Sequence, residues 1–321
     1  MKAIITGVNG FVGGHLSNLL CSEGVQVWGT TRGFSHNYYL NNKTTLIKTD
    51  MNDVDELVGL LNQIKPDYLF HLAGESNVKK SWGNKAQTFD ANVIKTLRLL
   101  EAVRKSKVAE NIRILTVGSS EEYGRVNAKA VPIQENTPLK PVSPYGISKA
   151  TISMIARQYN TAYQLKIIHA RPFNHIGPGQ KTGFVVPDFA AQIAAIEKGM
   201  QKNVLRVGNL DAQRDFSDVR DIVRAYKMLL EHGEFGEIYN VCSGVGVTIQ
   251  HILESLIRLS TVSIEVIKDE NLLRPTDIPV YIGDSGKIKS EVNWNHEIPL
   301  NDTLFDTLQD IRRHHNNASL I

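Results

Sequence analysis

The sequence predicts an α/β protein built on a doubly wound parallel sheet, followed by a smaller C-terminal α/β domain. Two observations indicate this fold. Short apolar runs rich in β-branched residues alternate with helical patterns over the first 171 of the 321 residues, which is typical of parallel strands joined by helices. In addition, the first run ends in glycines spaced three apart and leads directly into a helix. We expect the second half of the chain to bind the substrate.

The N-terminal segment combines a strand, a glycine turn and a helix. The first strand is predicted at residues 3–5, and apolar residues at helical spacing begin at Phe11. Between them, Gly7 permits a tight turn, Gly10 lets backbone approach a pyrophosphate, and Gly13 lets helix and strand pack closely. The helix N-terminus then offers N–H groups to a phosphate. This is a Rossmann-type dinucleotide site; the alternative is an ordinary βα turn that is rich in glycine.

The second strand, predicted at 25–30, determines which dinucleotide is expected. It ends in Thr30, Thr31 and Arg32, without a carboxylate. A carboxylate there accepts hydrogen bonds from the adenosine ribose and selects NAD, whereas a guanidinium can hold a 2′-phosphate. We therefore expect NADP(H) as cofactor and Arg32 as a ligand of its phosphate. The alternative is that Arg32 is an ordinary surface arginine.

The alternation continues through the rest of the first domain. Strands are predicted at 46–49, 67–72, 112–117 and 166–171, and helices at 54–64, 86–106 and 143–165. The fourth strand closes on Ala73 and Gly74, whose small size would let a cofactor lie across the strand end. His71, inside the same apolar run, is predicted to be a core residue and not a ligand.

Hydroxyl and ionisable groups follow the fifth strand and begin the next helix. Ser119, Ser120, Glu121 and Glu122 come at the carboxyl end of the strand, where such sheets bind ligands. Tyr145 and Lys149 are four residues apart and share one face of a helix. An ammonium near a phenol lowers the phenol pKa from about 10, which makes a usable proton donor. Such a pair alone is more often merely solvated; the glycine motif and Ser119 favour the catalytic interpretation.

Beyond residue 171 the pattern changes. Helices are predicted at 186–199, 219–231 and 249–259, and strands at 204–207, 238–241 and 264–267. We expect a cofactor-binding domain at 1–171 and a mainly substrate-binding domain at 172–321, with segments near 215–245 interleaved with the first. The tail after Arg313 is predicted to be frayed.

The bulk composition excludes several classes of protein. The formal charge of +3 comes without a run of Lys and Arg, so it does not favour nucleic-acid or membrane binding. No apolar run approaches the roughly 20 residues of a membrane span, and the N-terminus is not a signal sequence. Cys21 and Cys242 are predicted to be buried and reduced, and no His and Cys spacing predicts a metal site. We expect a cytoplasmic protein.

Taken together, these motifs resemble the extended short-chain dehydrogenase/reductase family, in its sugar-nucleotide branch. The resemblance spans Lys2 to about Arg313 and is closest to GDP-mannose 4,6-dehydratases and GDP-4-keto-6-deoxy-D-mannose reductases. It is carried by the glycine motif and by residues 119–124, 143–146, 173–175, 208–215 and 273–276. As a group these stretches are specific, although each alone is weak.

The resemblance implies roles for individual residues. Ser119, Glu121, Tyr145 and Lys149 would be catalytic. NADP(H) would be bound by Gly7, Asn9, Gly10, Phe11, Val12, Gly13, Arg32, Asp50, Met51, Leu72, Ala73, Gly74, Tyr145 and Lys149. A GDP-sugar would be bound by Ser120, Glu121, Asn174, Val185, Arg214 and Arg274. The last two would neutralise its diphosphate; the alternative for both is surface salt bridging with Asp211, Asp215 or Asp277.

Two departures from the dehydratase pattern favour a reductase that acts on the C4 keto group. The loop 33–42 is short and has no second arginine, where dehydratases of this kind carry a long Arg-rich loop. Asp188 stands where they place a lysine. However, Glu121 aligns with the dehydratase glutamate that acts as base at C5, so a dehydratase or an enzyme with both activities stays open. A cofactor sensor without activity is disfavoured by the intact Ser119, Tyr145 and Lys149.

The resemblance also implies a homodimer formed through a four-helix bundle. Its helices would be the predicted helix at 86–106 and the helix that contains Tyr145. Apolar residues at helical spacing on the first of these are Phe89, Val93, Leu97 and Leu100. Some of them must face the chain's own sheet.

Overall fold

The computed structural model describes residues 1–33, 38–272 and 278–314. Its strands are β1 (Lys2–Thr6), β2 (Gln26–Thr31), β3 (Thr45–Lys48), β4 (Tyr68–His71), β5 (Arg113–Val117), β6 (Lys166–Pro172), β7 (Asn174–Ile176), β8 (Val204–Val207), β9 (Gln213–Asp218), β10 (Ile238–Val241), β11 (Gly246–Thr248), β12 (Glu265–Lys268) and β13 (Val280–Tyr281). Its helices are α1 (Phe11–Ser22), α2 (Val54–Ile64), α3 (Val78–Gly83), α4 (Lys85–Phe89), α5 (Lys95–Lys105), α6 (Pro144–Tyr163), α7 (Val185–Glu197), α8 (Val219–His232), α9 (Ile249–Arg258), α10 (Gly286–Val292) and α11 (Leu300–His314).

A seven-stranded parallel sheet organises the larger part of the molecule. Its strand order is β10-β6-β5-β4-β1-β2-β3. The chain winds outward from β1 in one direction through β2 and β3 and in the other through β4, β5 and β6. The order therefore reverses beside β1, and in such sheets a crevice for ligands opens there, beyond the carboxyl ends of the strands. The predicted fold class is confirmed.

Helices cover both faces of this sheet because each carries an apolar stripe. On one face, α1 packs against α8, and both contribute to a buried cluster that includes Leu16, Leu20, Ile222 and Leu229. On the other face, α2 and α5 bury residues such as Leu61. Helical periodicity, with apolar residues three and four positions apart, produces these stripes.

The smaller part of the molecule is built around β9. This strand pairs with β11 in antiparallel fashion and with β7 and β13 in parallel fashion, while β8 and β12 form a separate pair. α7, α9 and α11 pack over a third apolar cluster. The sequence prediction missed β7, β11 and β13, which are only two or three residues long, and β9, which is polar and reads Gln-Arg-Asp-Phe-Ser-Asp. It also missed α10 and α11.

The prediction of a single long helix at 86–106 is wrong for the middle of that range. The chain instead runs through α4, a π-helical turn at Asp90–Ile94 and then α5. Asn92 lies in this turn and is buried, with its side chain bonded to Ser148 and to the backbone of Glu75. A π-turn inserts a residue into the helical ladder and is frequent at functional sites.

Three further expectations concern single residues and segments. Cys21 and Cys242 are both buried and free, as predicted. Within the described ranges, 1–33, 38–272 and 278–314, no helix is long and apolar enough to cross a bilayer. The expectation for the tail after Arg313 falls almost wholly outside the described residues; His314 ends α11.

Candidate active site

The glycine turn after β1 has a shape that only glycine permits. Gly7 has a φ of +71°, and a Cβ there would lie 2.9 Å from the backbone nitrogen of Ala73. A Cβ on Gly13 would lie 2.6 Å from the carbonyl oxygen of Gly7. The turn closes through a 2.9 Å hydrogen bond from Gly10 N–H to the same carbonyl. The first turn of α1 holds no acidic side chain, so this helix N-terminus suits an anion such as a pyrophosphate.

Asn9 ties the glycine turn to the end of β2. Its amide Nδ2 donates to Thr31 Oγ1 at 2.9 Å and to the carbonyl oxygen of Gly33 at 3.2 Å. Arg32 lies between these two partners and is exposed. Arg32, the residue predicted to select NADP, therefore lies next to the glycine turn, directly after β2.

The other predicted cofactor residues line the same edge of the sheet or lie just behind it. Asp50 is exposed after β3 and accepts a 2.9 Å hydrogen bond from Asn52 N–H, whereas Met51 is buried under the sheet. Val12 is half-buried in the core, and the Phe11 ring stacks on His175 at 6.2 Å between centroids. Phe11 thereby connects the glycine turn to the start of the smaller part of the molecule.

Residues 72–74 run from the end of β4 toward Lys149. Leu72 N–H and Ala73 N–H donate to Thr6, and a Cβ on Gly74 would lie 4.0 Å from the Lys149 Nζ. His71 precedes this segment and has a partner on each ring nitrogen, Thr6 Oγ1 at 2.7 Å and Thr96 Oγ1 at 2.8 Å. Burial lowers its pKa to about 3, so the ring is neutral. The prediction of a core histidine is confirmed.

Ser119, Tyr145 and Lys149 meet at the carboxyl end of β5. Ser119 caps a short 3₁₀ turn at Ser120–Glu122, and its side chain lies near the Tyr145 phenol and acts to lower the phenol pKa. Tyr145 lies in the first turn of α6, which Ser143 caps through a 3.0 Å bond to Gly146 N–H. Lys149 Nζ donates to the carbonyl oxygen of Val117 at 2.8 Å and lies 5.8 Å from the centre of the tyrosine ring.

The pKa of Tyr145 differs from the sequence prediction. Burial raises it, and the Ser119 side chain acts in the opposite direction without overcoming burial. Burial also lowers the pKa of Lys149 from 10.5 to about 8. The expected lowering of the phenol pKa by Lys149 is therefore wrong for the protein alone, because the ammonium is directed at a carbonyl and not at the phenol oxygen. A protonated phenol is the form that can donate to a carbonyl oxygen.

The two glutamates after Ser119 differ in burial, since Glu121 is partly exposed and Glu122 is not. Glu121 is half-buried, and its Oε2 lies 3.5 Å from the Ser143 hydroxyl, at the limit for a hydrogen bond. Ser120 is buried, and its carbonyl oxygen accepts a 2.7 Å bond from the Tyr281 hydroxyl. Glu122 is fully buried beneath the site.

The residues predicted to bind substrate lie on the smaller part of the molecule. Asn174 opens β7, is exposed, and donates from Nδ2 to the carbonyl oxygen of Asp215 at 3.3 Å. Arg214 donates to the carbonyl oxygens of Gln213 and Ile278 at 2.8 and 2.7 Å. Val185 begins α7 and is half-buried. Arg274 lies outside the described residues.

One alternative for Arg214 was a surface salt bridge with Asp215, but the Asp215 carboxylate does not lie at the surface. It is fully buried and accepts hydrogen bonds from the backbone N–H groups of Ser243, Gly244 and Gly283 and from the Ser243 hydroxyl. The Asp188 carboxylate accepts a 2.7 Å bond from Gly183 N–H. It therefore closes the turn in front of α7.

Several residues that surround the site had no role in the sequence interpretation. They are Ser81, whose hydroxyl accepts from Tyr145 N–H at 3.3 Å, Asn92 in the π-helical turn, and His169 and Arg171, which bond the buried Glu122. A charged residue inside the apolar run of β6 was a usable signal for Arg171. Nothing local to Ser81 or Asn92 distinguishes them from other polar helix residues.

Comparison with known proteins extends over almost the whole chain. The family model described as GDP-mannose 4,6 dehydratase matches residues 4–307. A GDP-6-deoxy-D-mannose reductase of Pseudomonas aeruginosa is 34% identical over 309 residues, which cover 96% of each chain. A human GDP-mannose 4,6 dehydratase is 29% identical over 92% of this chain and 87% of its own.

Solved structures give the same picture. The structure of RMD from Pseudomonas aeruginosa, complexed with NADPH, has a TM-score of 0.85 and 33% identity, covering 98% of this chain and 99% of that one. A UDP-glucose 4-epimerase of Thermotoga maritima, solved with UDP-glucose, has a TM-score of 0.88 at 26% identity over 98% of this chain and 100% of its own. The fold is thus shared beyond one substrate.

Proposed function

This chain belongs to the GDP-mannose 4,6-dehydratase family, and from that premise we propose that it is an NADPH-dependent reductase. Its reaction is the reduction of the C4 keto group of GDP-4-keto-6-deoxy-D-mannose, which gives a GDP-6-deoxyhexose such as GDP-D-rhamnose. The observation that carries the proposal is the placement of Tyr145 and Lys149 together on α6, with the Lys149 ammonium 5.8 Å from the tyrosine ring and Ser119 nearby. The reductase relative is also matched at higher identity than the human dehydratase.

The residues at the sheet edge fit NADPH. A Cβ at Gly7 or Gly13 would clash with the chain's own backbone, so glycine is needed for the close turn that brings the N-terminus of α1 to a pyrophosphate. An exposed arginine, Arg32, follows β2, and its sequence neighbours include no acid. The residues that would hold the cofactor are Gly7, Asn9, Gly10, Phe11, Val12 and Gly13 at the pyrophosphate, Arg32, Asp50 and Met51 at the adenosine end, and Leu72, Ala73, Gly74, Tyr145 and Lys149 toward the nicotinamide. When bound, NADPH supplies the hydride for C4.

The chain's own groups handle the proton. Tyr145 donates its phenol proton to O4 as that oxygen gains charge. Ser119 hydrogen-bonds the same oxygen and fixes the orientation of the phenol. Lys149 is charged below a pH of about 8, and a cation beside the phenol stabilises the phenolate that remains after the transfer.

The substrate residues and the domain division belong to the same proposal. Asn174, Val185, Arg214 and Arg274 would contact the GDP-sugar, with the two arginines at the diphosphate. Ser120 and Glu121 would approach the sugar from the first domain. We assign cofactor binding to 1–171 and substrate binding mainly to 172–321. We also propose a cytoplasmic location, because buried free cysteines suit a reducing compartment.

A homodimer completes the proposal. Ile94 in the π-helical turn and Ile147 and Met154 on α6 are exposed apolar side chains on neighbouring helices. Of the residues expected on the bundle, Val93 and Leu100 are buried in the chain's own core, while Phe89 and Leu97 are half-buried. The dimer face that we propose therefore uses α6 and the outer side of α4 and α5.

The second candidate function is that of the dehydratase, and Glu121 favours it. Its carboxylate is half-buried two residues after Ser119, a position suited to a base. The decisive experiment gives the purified protein GDP-mannose alone or GDP-4-keto-6-deoxy-mannose with NADPH. We expect NADPH oxidation in step with sugar reduction in the second case and little keto product in the first. Rapid conversion of GDP-mannose without added cofactor would establish the dehydratase instead.

A further inference from the structure

Glu122 is a fully buried carboxylate directly behind the site, and it is saturated with hydrogen bonds. It accepts from Ser119 N–H at 2.9 Å, from His169 Nε2 at 3.0 Å and from Arg171 Nε at 2.6 Å. Its position also leaves no room for a side chain at Gly118, where a Cβ would overlap both the carboxylate and the His169 ring. Glu122 therefore ties the backbone that carries Ser119 to two side chains of β6, in addition to the main-chain bond from Gly118 N–H to the Ala170 carbonyl oxygen.

Arg171 extends the connection to the helix that carries Tyr145 and Lys149. Its guanidinium is buried and donates to Ser153 Oγ on α6 at 3.0 Å, to the Tyr123 hydroxyl at 3.1 Å and to the carbonyl oxygen of Glu135 at 3.2 Å. The chain of contacts thus runs from Ser119 through Glu122 and Arg171 into α6. It joins the two elements whose relative position sets the placement of Ser119 beside Tyr145.

The contribution of the buried Glu122–Arg171 ion pair to folding stability does not by itself explain why the pair is present. Replacing a buried ion pair by apolar residues is often neutral or stabilising, because the desolvation cost is large. A fully satisfied buried network does, however, specify one arrangement of the parts it connects. The arrangement specified by Glu122 is that of the three reacting side chains.

Glu122 also acts electrostatically on Lys149. Burial lowers the pKa of Lys149, and the charge of Glu122 opposes that shift. The other ionisable groups nearby are His71 on β4, His169 and Arg171 on β6 and Tyr145 on α6, and the carboxylates of Glu121 and Glu75 act on Tyr145. Burial lowers the pKa values of both histidines and raises that of the tyrosine, so these three groups are neutral near pH 7.

We propose that Glu122 is a positioning residue of the reductase, which holds Ser119 against Tyr145 and supplies the negative charge that acts on Lys149. His169 supports it as a neutral ring, with its proton on Nε2 because a carboxylate only accepts. Nδ1 then accepts from Thr116 Oγ1 at 2.9 Å. The kinetic part of the test rests on the proposed function; the titration of Lys149 does not.

The test is Glu122→Gln, which keeps the shape of the side chain and removes its charge. We expect kcat to fall about ten- to hundredfold, the range seen when a supporting partner behind a functional group is lost. KM and the NADPH affinity, measured by fluorescence titration, should stay unchanged. The alkaline limb of the kcat–pH profile should move to lower pH, because Lys149 loses the charge that holds its proton.

A second readout needs no substrate. The Lys149 side chain is titrated by NMR in protein with ¹³C-labelled lysine, and its resonance is assigned with Lys149→Arg. We expect a lower pKa for Lys149 in Glu122→Gln. The matched control is Glu135→Gln, which removes a partly buried carboxylate that bonds Asn240 N–H. This control should change neither the kcat–pH profile nor the Lys149 titration.

Three outcomes would overturn the inference: an unchanged kcat, an unmoved Lys149 titration, or equal effects in the control. If Glu122→Gln does not fold, Glu122→Asp replaces it, since it keeps the charge and shortens the reach to Ser119. A lower kcat with an unchanged KM would then support positioning, and wild-type kcat would refute it. If the wild type turns over no keto-sugar, the proposed function is refuted. The NMR titration of Lys149 still tests the effect of Glu122 in that case.

Discussion

At the residue scale, burial determines the protonation state of three neighbouring side chains, those of Tyr145, Lys149 and His71. Burial penalises whichever form is charged. It therefore raises the pKa of the phenol, lowers that of the ammonium to about 8 and lowers that of the imidazole to about 3. Near pH 7 the site holds a neutral phenol, a charged lysine and a neutral histidine. Of these, only the phenol is placed with a second hydroxyl, Ser119, to meet a carbonyl oxygen.

Replacing Tyr145 by Phe tests this assignment. The ring is retained and the donated proton is removed, so we expect a loss of about 10² to 10⁴ in kcat. The affinity for NADPH, measured by fluorescence titration, should be retained. Single-turnover kinetics with the keto-sugar separate the chemical step from binding. A variant that keeps most of its activity would show that another group supplies the proton.

We propose that Arg32 selects the cofactor. Arg32→Asp replaces a guanidinium with a carboxylate, and a charge-assisted hydrogen bond contributes about 1.5–3 kcal/mol. We expect the Kd for NADPH to rise about ten- to hundredfold and the Kd for NADH to change far less. The control is Arg206→Asp on β8, an exposed arginine away from the sheet edge. Equal use of NADPH and NADH by the wild type would contradict the role given to Arg32.

At the scale of elements, the helices between β4 and β5 have one side packed in the core and one side exposed at the surface. Their inner side supplies Val93, Leu99 and Leu100 to the core, and Asn92 joins the π-helical turn to α6 through Ser148. Their outer side, together with α6, presents the exposed Ile94, the exposed Ile147 and Met154, of which 63% is exposed. We propose that these three exposed apolar side chains belong to one patch that forms the dimer interface.

The proposed dimer makes a specific prediction for Met154→Glu. A charge on the face of α6 would be buried without a partner in the dimer, so the variant should shift to monomer in light scattering at micromolar concentration. Met200→Glu is the matched control, because Met200 is 64% exposed and follows α7 on the smaller part of the molecule. That control should stay dimeric. A monomeric wild type would refute the dimer itself.

At the scale of the whole molecule, the two halves of the chain share one core. β10 completes the large sheet beside β6, and α8 and α10 cover the sheet on the side of α1. The main apolar cluster accordingly combines early residues such as Ile5 and Phe70 with late ones such as Tyr239 and Trp294. The cofactor-binding part cannot bury its apolar surface without the second half.

We therefore expect residues 1–171 alone not to fold. The fragment would expose the face that α8, β10 and α10 cover, and exposed apolar surface costs about 25 cal/mol per Å². Near-UV circular dichroism should show no fixed aromatic environment, whereas the full chain should unfold in a single calorimetric transition. A fragment with a cooperative transition of its own would contradict this.

The sequence by itself determined the features that neighbouring residues encode. The period of apolar residues placed α1, α8 and most strands of the large sheet, because a helix or strand buries a repeating face. The glycine spacing placed the cofactor turn, since Gly7 and Gly13 occupy positions where backbone approaches too closely for a Cβ. The four-residue spacing put Tyr145 and Lys149 on one face of α6.

Only the tertiary structure decided what depends on distant residues and on burial. The Ser119–Tyr145 contact, the Glu122–Arg171 network and the π-helical turn at Asn92 each join segments that are remote in the chain. β9 is too polar and the strands around it are too short to be read from a pattern, and they form because their partners are brought beside them. The phenol pKa runs opposite to the local prediction because the free energy of burying a charge is set by the whole surrounding fold.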